Sequence, residues 1–193
     1  ASYRAEIVLS TVKRLLPDSK SRRVLDVGCG TGIVLQRLRQ EGYENLYGAD
    51  ALRECVERLQ EAGFPSFLID LNAAEPGLPD SEFDVILLLE VLEHLYDPGT
   101  ALRCLRDRLD NDGLLIASVP NEYRLRKRIS VLFGAEMADP MLVGGHIKFF
   151  SFHSFRRLIE EQGFTILEHF GAGGVTLHNF PFGRMLLRKR PDL

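Results

Sequence analysis

The sequence predicts an α/β fold, a seven-stranded, mostly parallel sheet with helices on both faces. Three observations predict it. Short apolar runs alternate with amphipathic stretches of helical spacing, the pattern of successive βα units. The run Phe83 to Leu89 is apolar without alternation, as a strand buried on both faces must be. Gly28, Gly30 and Gly32 fall at alternate positions where one strand-like run gives way to a helical one. The 193 residues suffice for one core, and they contain no internal repeat or low-complexity linker.

The elements follow in order. Tyr3 to Leu16 sets Ile7, Val8, Val12, Leu15 and Leu16 at helical spacing, and Pro17-Asp18 ends that helix. Arg23 to Val27 is strand one. Ile33 to Glu41 is a helix with Val34, Leu35 and Leu38 inward, stopped by Gly42. Leu46 to Asp50 is strand two, Leu52 to Ala62 a helix stopped by Gly63, and Ser66 to Asp70 strand three. Asn72 to Ser81 is loop, rich in Pro, Gly and acid, and Phe83 to Leu89 is strand four. Asp97-Pro98 reads as an N-cap followed by proline at the first helical position, and Ala101, Leu102, Leu105 and Leu109 carry the helix on. Asn111-Asp112-Gly113 is a turn before strand five, Leu114 to Val119, which Pro120 closes. Ser151 caps a helix from Phe152 to Gln162 that ends at Gly163. Phe164 to Gly171 and Arg184 to Arg190 are the last two strands. Residues 121–150 and 172–183 fit no compact βα unit and are expected to form lid insertions on a single domain spanning 1–193.

Composition narrows the function classes. A net charge of −3 and a pI near 6.0 give no global basic footprint, so nucleic acid is disfavoured as a partner. The central apolar run Val85 to Leu89 is far too short to span a bilayer, so no transmembrane segment is expected, and the first residues read as no secretory signal, though residue 1 need not be the native start. Cys29, Cys55 and Cys104 are scattered without metal-knuckle spacing, which predicts free thiols in a reducing, cytoplasmic setting.

The glycine loop carries the binding argument. Such a turn lets the backbone approach a ligand closely and aims amide N–H groups at it, and a nucleotide-like cofactor suits that end of a parallel sheet. Asp50 lies 18 residues past Gly32 and ends strand two, where a carboxylate can accept hydrogen bonds from ribose hydroxyls. Asp70 ends strand three, placed to meet an adenine amino group. The dinucleotide pattern G-x-G-x-x-G/A fails, and Ile33 follows Gly32 directly.

Asp26-Val27-Gly28-Cys29-Gly30-Thr31-Gly32 resembles the first motif of class I methyltransferases that use S-adenosylmethionine (SAM). Phe83 to Leu95, with its Glu90-Val-Leu-Glu93-His94 core, and Leu114 to Asn121 look like later segments of the same Rossmann-like fold, so the resemblance covers about residues 20–170. It places the chain near the type 11/23 group. It implies that SAM is the cofactor, held by Asp26, Gly28, Cys29, Gly30, Gly32, Asp50, Ala51, Asp70, Leu71 and Leu89. A residue of the N-terminal helix, Tyr3 or Arg4, can meet the amino-acid end.

Glu90, Glu93 and His94 stand at i, i+3 and i+4, which share a face if the segment is helical, and His146 follows 52 residues after His94. Two carboxylates and two imidazoles can ligate one divalent ion, Mg or Zn. The E-x-x-E-H element with the later His146-Ile-Lys148-Phe149-Phe150 is similar to ubiquinone-biosynthesis O-methyltransferases, and to small-RNA 2′-O-methyltransferases in which such residues bind metal. The same residues also admit structural roles, since an acidic group favours a helix N-terminus. The resemblance implies O-methylation of a small, partly apolar hydroxylated acceptor, with His94, His146 and Glu93 as the catalytic candidates. Three alternatives stay open: an RNA 2′-O-methyltransferase using the basic run Arg124 to Arg128, a non-catalytic subunit resembling homoserine-acetylation helpers near Pro120-Asn121, and an NAD enzyme, which Ile33 disfavours. A protein partner or a homodimer is compatible with each.

Overall fold

The computed structural model describes residues 3–15, 20–120, 132–134, 145–171 and 182–189. Its elements are α1 (Tyr3–Leu15), β1 (Val24–Val27), α2 (Ile33–Gln40), β2 (Leu46–Asp50), α3 (Arg53–Glu61), β3 (Ser66–Leu68), β4 (Phe83–Leu89), a 3₁₀ turn (Leu92–His94), α4 (Pro98–Arg106), β5 (Leu109–Pro120), α5 (Phe152–Glu161), β6 (Phe164–Gly171) and β7 (Phe182–Lys189). The seven strands hydrogen-bond in the order β3-β2-β1-β4-β5-β7-β6. β1 runs parallel to β2 with Asp26 opposite Gly48, and β2 runs parallel to β3. β6 and β7 are antiparallel, with a register shift between Ile166 and Glu168. The order reverses between β1 and β4, and open α/β sheets bind ligands at the carboxyl ends of strands at such a point.

The chain forms two compact units, residues 1–87 with 107–114 and residues 88–106 with 115–193. In the first unit β1 is buried throughout. Val8, Leu9 and Val12 of α1, Leu35 and Leu38 of α2, and Val56 and Leu59 of α3 are buried with it. These are the i, i+3, i+4 stripes that the sequence shows. Lys13 pairs with Glu41 and Arg37 with Glu6, so ion pairs line the α1/α2 contact. Asp84 fixes the start of β4 by accepting from the Arg23 amide at 2.8 Å, and the Arg23 guanidinium lies over the rings of Tyr47 and Phe83.

In the second unit Asp97 caps α4, accepting from the Thr100 amide at 3.0 Å and its hydroxyl at 2.6 Å. Ser151 caps α5 in a reciprocal box, with Ser154 in the place usual for Glu. Arg103 donates to the Gln162 side chain at 2.6 Å and Arg106 to its carbonyl at 3.1 Å, tying α4 to the end of α5.

Several expected boundaries move. β3 stops at Leu68, because the chain turns there. The Asp70 amide donates to the Pro76 carbonyl and its carboxylate accepts from the Asn72 amide. α4 stops at Arg106 and β5 begins at Leu109, so the expected Asn111–Gly113 turn lies inside a strand. The cause is capture by β4: the Phe83 amide donates to the Arg108 carbonyl at 2.8 Å, which commits the chain before the turn signal. The bend survives locally, because a Cβ on Gly113 would stand 2.9 Å from the Asp110 carbonyl oxygen. The final strand spans Phe182–Lys189 rather than Arg184 to Arg190. Of the two expected lids, residues 121–131, 135–144 and 172–181 lie outside the described residues, and with them the basic run Arg124 to Arg128 and His178. No helix among the described residues is long and apolar enough to cross a membrane.

Candidate functional site

The glycine loop closes the carboxyl end of β1. Gly28, Gly30 and Gly32 all adopt left-handed backbone, with φ of 74°, 51° and 72°, a region open to glycine at no steric cost. The amides of Gly28 and Cys29 donate to the Ala49 carbonyl at 2.8 and 3.2 Å. The Gly30 amide donates to one Asp50 carboxylate oxygen at 2.8 Å and the Leu52 amide to the other at 2.9 Å. Asp50 therefore sets the loop's shape, and each of its oxygens keeps a lone pair for a further donor. Two different needs select glycine here. A Cβ on Gly32 would stand 2.2 Å from Cδ2 of Leu59, so α3 packs directly against the loop. A Cβ on Gly30 would meet nothing within 4 Å, so that position faces open space.

The other expected cofactor residues are distributed around this loop. Asp26 and Cys29 are buried, Leu71 is buried, and Ala51 and Asp70 are exposed. Burial first, then the neighbouring Asp50 charge, push the Asp26 carboxyl up to about 7. Burial, then Asp26 and Asp50, push the Cys29 thiol up to about 12, so it is a neutral packing group rather than a nucleophile. Sequence reasoning missed two rim residues, Leu52 at 64% exposure and Ile33 at 45%. The signal was present: Leu52 holds the N-cap of α3, where Ser, Thr, Asp or Asn is the usual occupant. The side chains of Tyr3 and Arg4 lie outside the described residues.

The second unit holds the His and Glu residues. Leu89 is half-buried. Glu90 adopts φ 58°, an uncommon left-handed conformation for a residue with a Cβ. Its amide donates to the Ser118 carbonyl at 3.0 Å and its carboxylate accepts from the Ser118 hydroxyl at 2.8 Å. The expected helical face of Glu90, Glu93 and His94 does not form, because only Leu92–His94 is helical and that turn is 3₁₀. Glu93, His94 and His146 do come together, with ligand atoms within 4.8 Å of one another. Glu93 is 1% exposed. The His94 and His146 rings meet edge to face at 4.8 Å, and His146 Nε2 is 3.9 Å from Glu93 Oε1. The amides of Ile147 and Lys148 both donate to the Glu93 carbonyl, at 2.9 and 3.0 Å, which holds the His146 segment on the turn. His94 Nδ1 lies 3.3 Å from the Gly145 carbonyl, an acceptor only, so this contact selects the tautomer of the neutral ring in which Nδ1 carries the proton and Nε2 the lone pair. One carboxylate with two imidazoles is a donor set suited to zinc or another first-row ion, and less to magnesium, which prefers oxygen ligands. His153 and His169 instead pack against Phe152, with ring centroids at 5.7 and 5.0 Å.

Comparison with known proteins agrees with this architecture. A family model described as a methyltransferase domain matches residues 1–169. The ubiquinone biosynthesis O-methyltransferase of a Ruegeria species is 30% identical over 169 residues, covering 85% of this chain and 65% of that protein. That of Actinobacillus pleuropneumoniae is 31% identical over 140 residues, covering 68% of this chain and 59% of that protein. The chain thus spans about 60% of the length of these two relatives. Among solved structures, an S-adenosylmethionine-dependent methyltransferase from Mesorhizobium loti superposes with a TM-score of 0.73 at 17% identity, covering 93% of this chain and 96% of the other. The fold is therefore that of the class I methyltransferases.

Proposed function

Because the chain belongs to the methyltransferase-domain family, we propose that it transfers a methyl group from SAM to a hydroxyl of a small, partly apolar acceptor. The observation that carries the SAM half is the Asp50 carboxylate, which accepts from the Gly30 and Leu52 amides and keeps lone pairs to which ribose hydroxyls can donate. Asp70 is exposed to take the adenine amino group, and Leu52 and Ile33 offer apolar surface to the base. SAM supplies a methyl group already activated on a sulfonium, so the protein's contribution is chiefly positional.

A hydroxyl acceptor must also lose its proton. His94, with Nδ1–H held by Gly145, presents Nε2 as a base, and Glu93 and His146 lie beside it to stabilise the charge that forms. A divalent ion held by Glu93, His94 and His146 would supply Lewis acidity, lowering the pKa of a bound hydroxyl. Zinc fits that donor set better than magnesium. The O-methyltransferase relatives at about 30% identity support the hydroxyl acceptor.

The test measures methyl transfer to a catechol or vicinal diol before and after dialysis against a chelator. Activity lost on chelation and restored by zinc supports the metal-assisted reading. Undiminished activity in Glu93→Ala and His146→Ala would remove it. Turnover that survives chelation yet falls at least tenfold in His94→Ala would leave His94 as a metal-free general base.

A further inference from the structure

Among the described residues, Glu90 is the one non-glycine with a positive φ, 58°. A glycine would adopt that backbone without strain, whereas a residue with a Cβ holds it only where the surrounding contacts fix it. The contact is Ser118. The Glu90 amide donates to the Ser118 carbonyl at 3.0 Å, and the Ser118 hydroxyl donates to Glu90 Oε1 at 2.8 Å. Glu90 directly follows β4, and Ser118 lies near the end of β5, the neighbouring strand. One residue pair is thus joined twice, through backbone and side chain, at the carboxyl edge of the sheet. Ser118 is 2% exposed, so its hydroxyl needs a protein acceptor, and a carboxylate is a strong one.

The strained residue aims the segment that follows it. Val91 returns to right-handed backbone, with φ −119° and ψ −41°, and Leu92–His94 form the 3₁₀ turn. Leu92 is fully buried, so the turn is pinned at Glu90 and again at Leu92. Glu93 and His94 come next. The Glu93 carbonyl accepts the Ile147 and Lys148 amides, and His94 Nδ1 meets the Gly145 carbonyl, so the placement of His146 depends on that of the turn. A chain leaving β4 in another direction would move all three groups.

We propose that Glu90 and Ser118 are a positioning pair, which sets the direction of the chain leaving β4 and so holds Glu93 and His94 against His146. Glu90 acts through these residues and lies outside the group whose ligand atoms come within 4.8 Å of one another. Its carboxylate serves as a hydrogen-bond acceptor, and its charge is not what the site uses. A neutral amide oxygen can therefore replace it, which separates this role from that of an acid, a base or a metal ligand. The role rests on the acceptor site proposed above.

The experiment compares the wild type with Glu90→Gly, Ser118→Ala, their double variant and Glu90→Gln. Methyl transfer to a catechol is measured beside calorimetric affinity for SAM and for its demethylated product, S-adenosylhomocysteine (SAH). The imidazole NMR signals of His94 and His146 are recorded without ligands. Glu90→Gly removes the strain along with the side-chain bond, so a residue of merely structural value would lose no rate there. The expected result is a kcat lower by at least about tenfold in Glu90→Gly and in Ser118→Ala, with SAM and SAH affinities held within about twofold. The double variant falls no further than the slower single one, because all three lose the same contact. Glu90→Gln stays within about threefold of the wild-type kcat and keeps its imidazole signals, which move in the other three. Wild-type rates and signals in Glu90→Gly or Ser118→Ala would overturn the proposal. So would a Glu90→Gln as slow as Glu90→Gly, since the charge would then be the working feature. No catechol turnover by the wild type would defeat the acceptor reading, and the imidazole signals would still decide for or against the pair. Should one single variant not fold, the other carries the comparison.

Discussion

Asp26 makes stability depend on pH in a direction opposite to that of most carboxylates. Its folded pKa stands at about 7, above an ordinary value of 3.8. Between those values the folded chain binds a proton that the unfolded chain does not, so this contribution to stability is fully present below about pH 4 and is lost as pH rises through 7. Each pH unit within that window costs on the order of 1 kcal/mol. Asp26→Asn, which cannot ionise, is expected to gain thermal midpoint over the wild type at pH 8 relative to pH 5, and a constant difference across that range would contradict the assignment. The glycines separate in the same way. Gly32→Ala meets both a left-handed φ and the Leu59 side chain, and is expected to lower stability by about 2–3 kcal/mol in a denaturant titration. Gly30→Ala meets the φ alone, with an expected loss of about 1 kcal/mol and a larger loss of cofactor affinity. The sequence shows where these glycines fall but not which contact each one serves. That depends on Leu59, 27 residues away on the next helix but one. Glu90 is the counter-case. Spacing put it on a helical face with Glu93 and His94, but its left-handed φ lies outside any helix, and its carboxylate accepts from the Ser118 hydroxyl.

Helix caps were the most legible elements, because they rest on contacts within three residues. Asp97 and Ser151 both cap as their local sequence predicts. Ser151→Ala is expected to cost about 1 kcal/mol, since it removes one half of a reciprocal box and leaves the Ser154 amide without that acceptor. An unchanged midpoint would show that the box is redundant. Strand four was readable because a short, unbroken apolar run suits a strand covered on both faces. The start of strand five was not, because a turn signal of Asn, Asp and Gly was overridden by pairing to a residue more than twenty positions away. The 3₁₀ turn at Leu92–His94 was equally hidden. Its three residues are too few for any periodicity to show, yet it brings Glu93 and His94 to His146.

At the scale of the whole molecule, charge and topology bear on the partner class. A net charge of −3 predicts that any affinity for a generic RNA oligonucleotide is weak and shallow in its salt dependence. A steep fall in binding between 50 and 200 mM salt would instead favour an RNA acceptor. The strand order places the glycine loop and Asp50 at the sheet's reversal, which is where a fold shared with many nucleotide-binding proteins binds its ligand. What distinguishes one ligand from another is the loop's spacing, with Ile33 where a dinucleotide loop continues. The most direct test is therefore calorimetric titration of the chain with SAM, SAH and NAD under one set of conditions, alongside Asp50→Ala. SAM and SAH should each bind at one site, Asp50→Ala should weaken both by at least about tenfold, and NAD should give no heat of binding. Saturable binding of NAD, or no binding of SAM by the folded wild-type chain, would contradict the assignment of this loop to SAM.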